Sequence, residues 1–300
     1  MSSRRHDCGQ AAVVTVLFLV VLLGMAAAVL DVGSWYREDR KLQATMDAAA
    51  LAGAQALPDD PGAADALANQ YATKNGGGLD TIEVTKTKIS NDTVKVTGSR
   101  PAPGFFSKIF GIDSVTVNGT ATARAGVLAS AKWAAPIAVD EQHPYLQGKR
   151  WGEATSIELD TVGPGAFRLI NIDGSRGGTN PGTLGDWIRS GFEGAMPLGW
   201  YYSDPGAKFN TNPNFKSALD DVALEGKELL FPVYRATREQ GAGFEYEVVG
   251  WVGFVVTSHE IQGSKNNKIF GHFTTVVWEG IFSEEASPED FGARAVSLIE

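Results

Sequence analysis

Cysteine is nearly missing from this 300-residue chain: the single one, Cys8, can form no intrachain disulfide, so whatever folds beyond it must do so by packing alone. Basic residues are in deficit as well. With 26 Lys and Arg against 35 Asp and Glu, the net charge of −9 leaves no broad positive field for phosphates and excludes nucleic acid as a partner. Only four histidines occur, His6, His143, His259 and His272, with no i, i+4 pair and no flanking Glu arrangement of a zinc helix. No Gly-rich loop leads into Lys-Ser/Thr, so nucleotide binding and hydrolysis have no support, and no cofactor is implied. Glycine and proline, in contrast, are plentiful at 35 and 13 residues, which suits short strands joined by tight turns. A hydrophobic content of 43 % supports an anchor plus one or two real cores.

Charge is absent altogether from Ala11 to Leu30, a run in which Thr15 is the one polar residue. Twenty residues at 1.5 Å each measure about 30 Å, the thickness of a bilayer's hydrocarbon core, so a transmembrane helix is expected over 11–30. Arg4 and Arg5 precede the run, and Trp35 and Tyr36 follow where amphipathic rings meet headgroups. Arg37, Arg40 and Lys41 on the far side leave orientation undecided by charge. A cleaved signal peptide is the rival reading, with Ala26-Ala27-Ala28 as a small-residue site, but the run exceeds a usual signal core and helical composition continues past it. A lipoprotein is excluded because no apolar segment precedes Cys8.

No proline interrupts the chain from the run to Pro58, and residues 31–57 are rich in Ala, Leu, Gln, Arg and Lys, so the same helix is expected to continue as an amphipathic extension. Trp35, Leu42, Ala49 and Ala56 recur at seven, with Met46 and Gly53 between them at helical spacing, as a narrow seam of mostly small side chains. Gly24 and Ala28 carry a small-xxx-small spacing into the membrane. This surface, Gly24, Ala28, Trp35, Leu42, Met46, Ala49 and Gly53, is the candidate packing face, either toward partner helices or toward the protein's own globular part. Ala11 through Leu57 would measure about 70 Å as helix.

These residues resemble the TadE/TadG-like family of the tight-adherence (Tad), Flp pilus-assembly system. The resemblance rests on Gly9-Gln10 before the apolar run, the exit Leu30-Asp31-Val32-Gly33-x-Trp35-Tyr36, and then Leu42-Gln43 with Asp47-Ala48-Ala49-Ala50-Leu51-Ala52-Gly53-Ala54. It continues through Phe105-Phe106-Ser107-Lys108-Ile109-Phe110-Gly111-Ile112, Val115-Thr116-Val117 and Ala121–Ala125 to Pro136-Ile137-Ala138, and fades beyond. It implies a TadG-like, single-pass, pseudopilin-like component of bacterial pilus assembly, non-enzymatic, with residues 1–10 cytoplasmic and its bulk extracytoplasmic. The membrane and other Tad/Flp assembly proteins, met through the N-terminal helix, are the implied partners. Members cut by prepilin peptidase carry Glu at the place of Val14, so the helix here is pilin-like in layout but is expected to stay in the membrane instead of being cut after Gly9 and polymerised.

Pro58-Asp59-Asp60-Pro61-Gly62 ends the long helix, a short helix follows over Ala63–Lys74, and strands are expected at Thr81–Lys88, Thr93–Gly98 and Ser114–Ala125, with Asn91-Asp92 as a hairpin turn. Phe105, Phe106, Ile109 and Phe110, at helical spacing, are expected to cover the apolar face of that small sheet. Residues 58–135 thus read as a small α+β segment. From 136 to 300 the pattern is mainly antiparallel β, with strands at Ser156–Leu159, Phe167–Asp173, Glu228–Val233, Glu245–Thr257, Ile269–Trp278 and Arg294–Ile299 and helices at Thr183–Phe192, capped by Thr183, and Phe215–Leu224. An acidic loop is expected at 283–290. The whole is α+β.

Chemistry is scarce. Asp173-Gly174-Ser175 after an apolar strand has the carboxylate and hydroxyl that begin a Mg²⁺ site of the von Willebrand A type, but Gly177 stands where a further hydroxyl belongs, so a Gly-rich loop is the preferred reading. Ser175 follows no nucleophile elbow, since Asp173 replaces its glycine. Trp187, Trp200, Tyr201 and Tyr202, with Phe192, form either core or a recognition patch. An anchored adhesin-like binding module, with a ligand or metal near Asp173 and Ser175, is therefore the alternative to an assembly protein. If the N-terminal helix is an anchor, the intact mass of the mature protein will retain residues 1–28; a mass short by that segment would establish a signal peptide instead.

Overall fold

The computed structural model describes residues 7–160, 166–205, 213–239, 243–261, 266–283 and 289–299. Two compact units emerge, Met1–Arg124 with Ser297–Glu300, and Ala125–Val296.

The first unit is organised by one helix, α1, which runs unbroken from Asp7 to Ala54. It stops before the proline cluster, and Asp60 then caps α2 (Pro61–Lys74) by accepting from the Ala63 amide at 2.9 Å, with Pro61 supplying the preset φ of a first helical residue. Ala64, Ala68 and Ala72 make the buried face of α2, and this small-residue stripe lets it lie close against α1. Strands β1 (Leu79–Thr85), β2 (Thr93–Pro103) and the beginning of β3 (Ser114–Ala131) form an antiparallel meander. Gly98 and Gly119 face each other directly across β2 and β3. A Cβ on Gly98 would come within 2.6 Å of the Met46 sulfur, and one on Gly119 within 3.2 Å of Leu42 Cγ, so the glycine pair is what allows α1 to seat these two side chains on the sheet.

Two expectations change here. The β1–β2 connection is not a two-residue turn at Asn91-Asp92; it occupies residues 86–92, and Lys88, expected in a strand, lies within it. The buried carboxylate of Asp92 organises it by accepting from the amides of Thr87, Lys88 and Ile89 at 2.6, 2.7 and 3.0 Å and from the Thr93 hydroxyl at 2.9 Å. Nor do Phe105, Phe106, Ile109 and Phe110 cover the sheet. They sit in and before a 3-10 turn (Ser107–Phe110) and are 64, 41, 81 and 81 % exposed, because α1 itself occupies the sheet face that they were expected to fill.

The second unit is built on a sheet in the order β4 (Val139–Asp140), β9 (Glu228–Arg238), β10 (Glu245–Glu260), β11 (Lys268–Thr274) and β5 (Ala154–Glu158), antiparallel except for the β4–β9 pair. Strand β8 (Gly199–Pro205) pairs with β10 and with β6 (Ala166–Ile170). Alternation along β9 buries both faces: Leu229, Phe231 and Val233 enter one core, Leu230 and Tyr234 the other. Leu184 and Ile188 of α4 (Pro181–Ser190) and Phe215, Leu219 and Val222 of α5 (Pro213–Glu225) complete the first core. Leu128 and Ala131 from the end of β3, Met196 of β7 (Met196–Pro197), Val276 of β12 (Val276–Val277) and Ala293 of β14 (Ala293–Ile299) line the second. A one-turn helix α3 (Pro144–Gln147) and β13 (Gly280–Phe282), which pairs with the end of β3, are the remaining elements among the described residues.

Asn180, not Thr183, caps α4, because Pro181 holds the first helical position and the Asn180 carboxamide accepts from the Gly182 amide at 2.8 Å. The expected strand Ile269–Trp278 breaks at Thr275 into β11 and β12, and the acidic stretch expected as a loop at 283–290 lies mostly outside the described residues. The α+β class holds throughout, with a long apolar helix, a small helix and a mostly antiparallel sheet domain.

Burial pushes the Asp92 carboxyl up, while its four hydrogen bonds more than offset this and leave it below the ordinary carboxylate range. A depressed folded value means that its stabilisation is complete above about pH 4 and fades as the pH falls through the folded value. Asp92→Asn is therefore expected to cost about 2 kcal/mol near pH 7 and progressively less below about pH 4, measured by denaturant melts at both pH values.

Candidate membrane anchor and packing surface

Two environments meet along α1. From Ala11 to Leu30 every residue but the half-buried Ala27 is exposed, including Val13, Phe18 and Leu23 at 61, 62 and 63 %. An exposed apolar surface of this size marks a site covered by a membrane or by another protein. It is the one helix among the described residues that is long and apolar enough to cross a membrane.

From Leu42 onward the same helix belongs to the folded unit. Leu42, Met46, Ala49 and Gly53 are buried within it, and a Cβ on Gly53 would meet the Ala64 carbonyl at 3.1 Å and the Ala68 Cβ at 3.3 Å. This part of the seam packs on the chain's own globular part. Polar ties reinforce it: Gln43 donates to the Thr120 carbonyl at 2.8 Å, Thr45 donates to the Asn75 carbonyl at 2.9 Å, and Arg100 donates to the Gly77 carbonyl at 2.7 Å while lying 4.0 Å from Glu38. Gly24 and Ala28 stand apart from the rest. A Cβ on Gly24 would meet nothing within 4 Å and Ala28 is exposed, and both line a small cavity beside Phe106 and Phe110.

Asp31 joins the two regimes. It follows the apolar run directly, yet it is only 2 % exposed, and it accepts from the amides of Phe105 (3.0 Å), Phe106 (3.0 and 3.2 Å) and Ser107 (2.5 Å). A carboxylate collecting three successive N–H groups at the start of a 3-10 turn acts as a cap supplied by a distant element, and the charge-assisted bonds hold the turn against α1. Sequence reasoning treated Asp31 and Phe105–Ile112 as separate features. A lone acid at the end of an apolar run was the available signal, but nothing local names its partner 74 residues on. Beyond it Trp35 is half-buried and Tyr36 exposed, with the Arg40 guanidinium 5.2 Å from the Tyr36 ring centre.

The aromatic candidates of the second unit separate. Trp187 packs edge-on against Phe192 at 5.5 Å between the two cores. Tyr201 points inward from β8, where burial pushes its hydroxyl up to about 12 and leaves it to donate to the Pro197 carbonyl at 2.7 Å. Trp200 and Tyr202 lie on the opposite face of the strand, under the guanidinium groups of Arg238 (4.2 Å) and Arg176 (5.5 Å). Strand alternation divides the run, which sequence adjacency had joined.

Asp173 and Ser175 form a local turn in which the Asp173 carboxylate accepts both the amide and the hydroxyl of Ser175, at 2.9 and 2.7 Å. Among the described residues no group of three or more His, Cys, Asp or Glu side chains is arranged to hold a metal ion.

Among the described residues, one helix of membrane-spanning length rooted in the first unit defines the class of arrangement. Residues 9–56 match the family described as putative Flp pilus-assembly TadE/G-like, and the match covers both the exposed run and the buried seam of α1. No curated protein and no solved structure matches the chain.

Replacing Asp31 by Ala leaves three amides without their acceptor. Hydrogen exchange at Phe105, Phe106 and Ser107 is expected to accelerate by about an order of magnitude or more, while exchange at 94–97 in β2 stays unchanged.

Proposed function

We propose that this protein is a membrane-anchored, non-enzymatic component of a Tad/Flp-type pilus-assembly apparatus, TadG-like in character. Residues 11–30 are its transmembrane helix, with residues 1–10 on the cytoplasmic side and the bulk of the chain extracytoplasmic. The observation that carries this reading is the coincidence of the matched family segment with the whole functional length of α1, from the exposed apolar half to the half that forms the core of the first unit. The segment from 31 to 57 then serves as a rigid connection between membrane and body, and Gly24 with Ala28 offers the close-approach site for a partner helix within the bilayer.

A role in assembly needs contacts, not chemistry. What the helix supplies is a fixed depth and a small-residue surface at that depth, on which neighbouring single-span proteins of the same machine can pack. Val14, where cleaved members of the family carry Glu, fits a subunit that stays in the membrane. The second reading, an anchored adhesin-like module, draws on the outward pair Trp200 and Tyr202.

A photo-crosslinking residue at Gly24 or at Ala28, introduced in cells, is expected to capture other pilus-assembly proteins of the same system. Capture of none of them, with the protein still in the membrane fraction, would favour the adhesin-like reading.

A further inference from the structure

The most exposed apolar side chains outside the first half of α1 include Phe105, Ile109 and Phe110, and core packing does not account for them. We propose that residues 105–112 insert into the bilayer leaflet at the C-terminal end of the α1 span, so that the chain meets lipid twice, as a spanning helix and as an apolar wedge beside it. The inference rests on the reading of Ala11–Leu30 as the membrane span.

Position is the first argument. The Asp31 carboxylate ties the turn to α1, and the turn leans back along the apolar run: Phe106 and Phe110 share with Gly24, Ala27, Ala28 and Trp35 the wall of a cavity of about 130 Å³. Gly24 lies six residues before Leu30, which is about 9 Å deeper along the helix axis. Side chains that reach this level enter hydrocarbon whenever the run itself does. That depth also matches the roughly 5–10 Å to which interfacial segments bury their apolar face.

Chemistry agrees with position. Ile109 and Phe110 form an 81 % exposed tip, with Ile112 at 45 %, and the exposed Val32 of the helix lines the same cavity as Phe110. A loop can enter lipid only if its backbone polar groups are satisfied internally. Here the amides of Phe105, Phe106 and Ser107 are held by Asp31, and those of Ile109, Gly111 and Ile112 donate to the carbonyls of Phe106, Lys108 and Ser107. Lys108, exposed in the middle of the turn, has the long apolar stem and terminal charge that let a lysine reach headgroup phosphates from within the interface. A second copy of the chain is the competing occupant, but the tie of the turn to a helix of membrane-spanning length and composition favours lipid.

The test uses the full chain with Cys8→Ser and one new cysteine at a time: Phe110→Cys, Ile109→Cys as a second tip site, Val29→Cys within the span, and Lys95→Cys on the exposed side of β2. Each is labelled with an environment-sensitive fluorophore in phosphatidylcholine vesicles that carry a nitroxide high on the acyl chain, and aqueous iodide is added separately. The labels at 109 and 110 are expected to be quenched by the nitroxide lipid as strongly as the label at 29 and to be shielded from iodide, with the reverse at 95. A lipid-quenched label at 29 beside iodide-quenched labels at 109 and 110 overturns the wedge and keeps the span. Labels at 109 and 110 shielded from both quenchers overturn it in favour of protein contact. Iodide quenching at 29 removes the span itself, and the wedge with it.

Discussion

The first unit depends on how closely α1 can approach the sheet behind it. A helix normally stands off a sheet by the thickness of two side-chain layers, but here Gly98 and Gly119 remove one layer at the point where Met46 and Leu42 arrive. The helix can then bury its seam fully, and the small face of α2 closes the other side. Once that packing is fixed, the direction of α1 is fixed with it, and the exposed apolar half at 11–30 continues the same unbroken helix. One continuous backbone ladder carries the constraint from the buried seam into the exposed apolar run without a break.

Asp31 is the second consequence of that direction. A carboxylate at the edge of an apolar run is costly unless its oxygens are occupied, and three backbone amides of the 105–107 segment occupy them. The same bonds cap a turn that has no side-chain cap of its own. Each half of the arrangement solves the other's problem: the acid gains donors, and the turn gains an acceptor together with a fixed place beside the helix. The body beyond this point is stabilised more conventionally, by a sheet with both faces covered and by two helices on one of them.

Much of this was legible in residue order. The long apolar helix could be read from run length and lack of charge, its stop from Pro58 and Pro61, and the strands of both units from alternation and β-branching. These signals are local: they depend on periodicity and on residues with strong backbone preferences. Where the reading missed, the deciding contact was remote or the pattern was ambiguous. Phe105–Phe110 looked like core because apolar residues at helical spacing usually are, and nothing nearby showed that α1 had taken their place. Trp200, Tyr201 and Tyr202 read as one patch until β8 placed neighbours on opposite faces. The cap of α4 moved to Asn180 because Pro181 begins the helix two residues early.

Sequence alone therefore determined that there is one long helix, that its first half suits lipid and its second half suits a protein core, and that the remainder is α+β with mostly antiparallel strands. Backbone propensity, apolar run length and period are intrinsic to the order of residues. Tertiary structure decided which surface the seam meets, that Gly24 and Ala28 line a cavity beside Phe106 and Phe110, and that Asp31 holds a segment more than seventy residues away. Those outcomes turn on close approach between distant segments, and a Cβ present or absent at Gly98 and Gly119 can be weighed only once the atoms it would strike are in place.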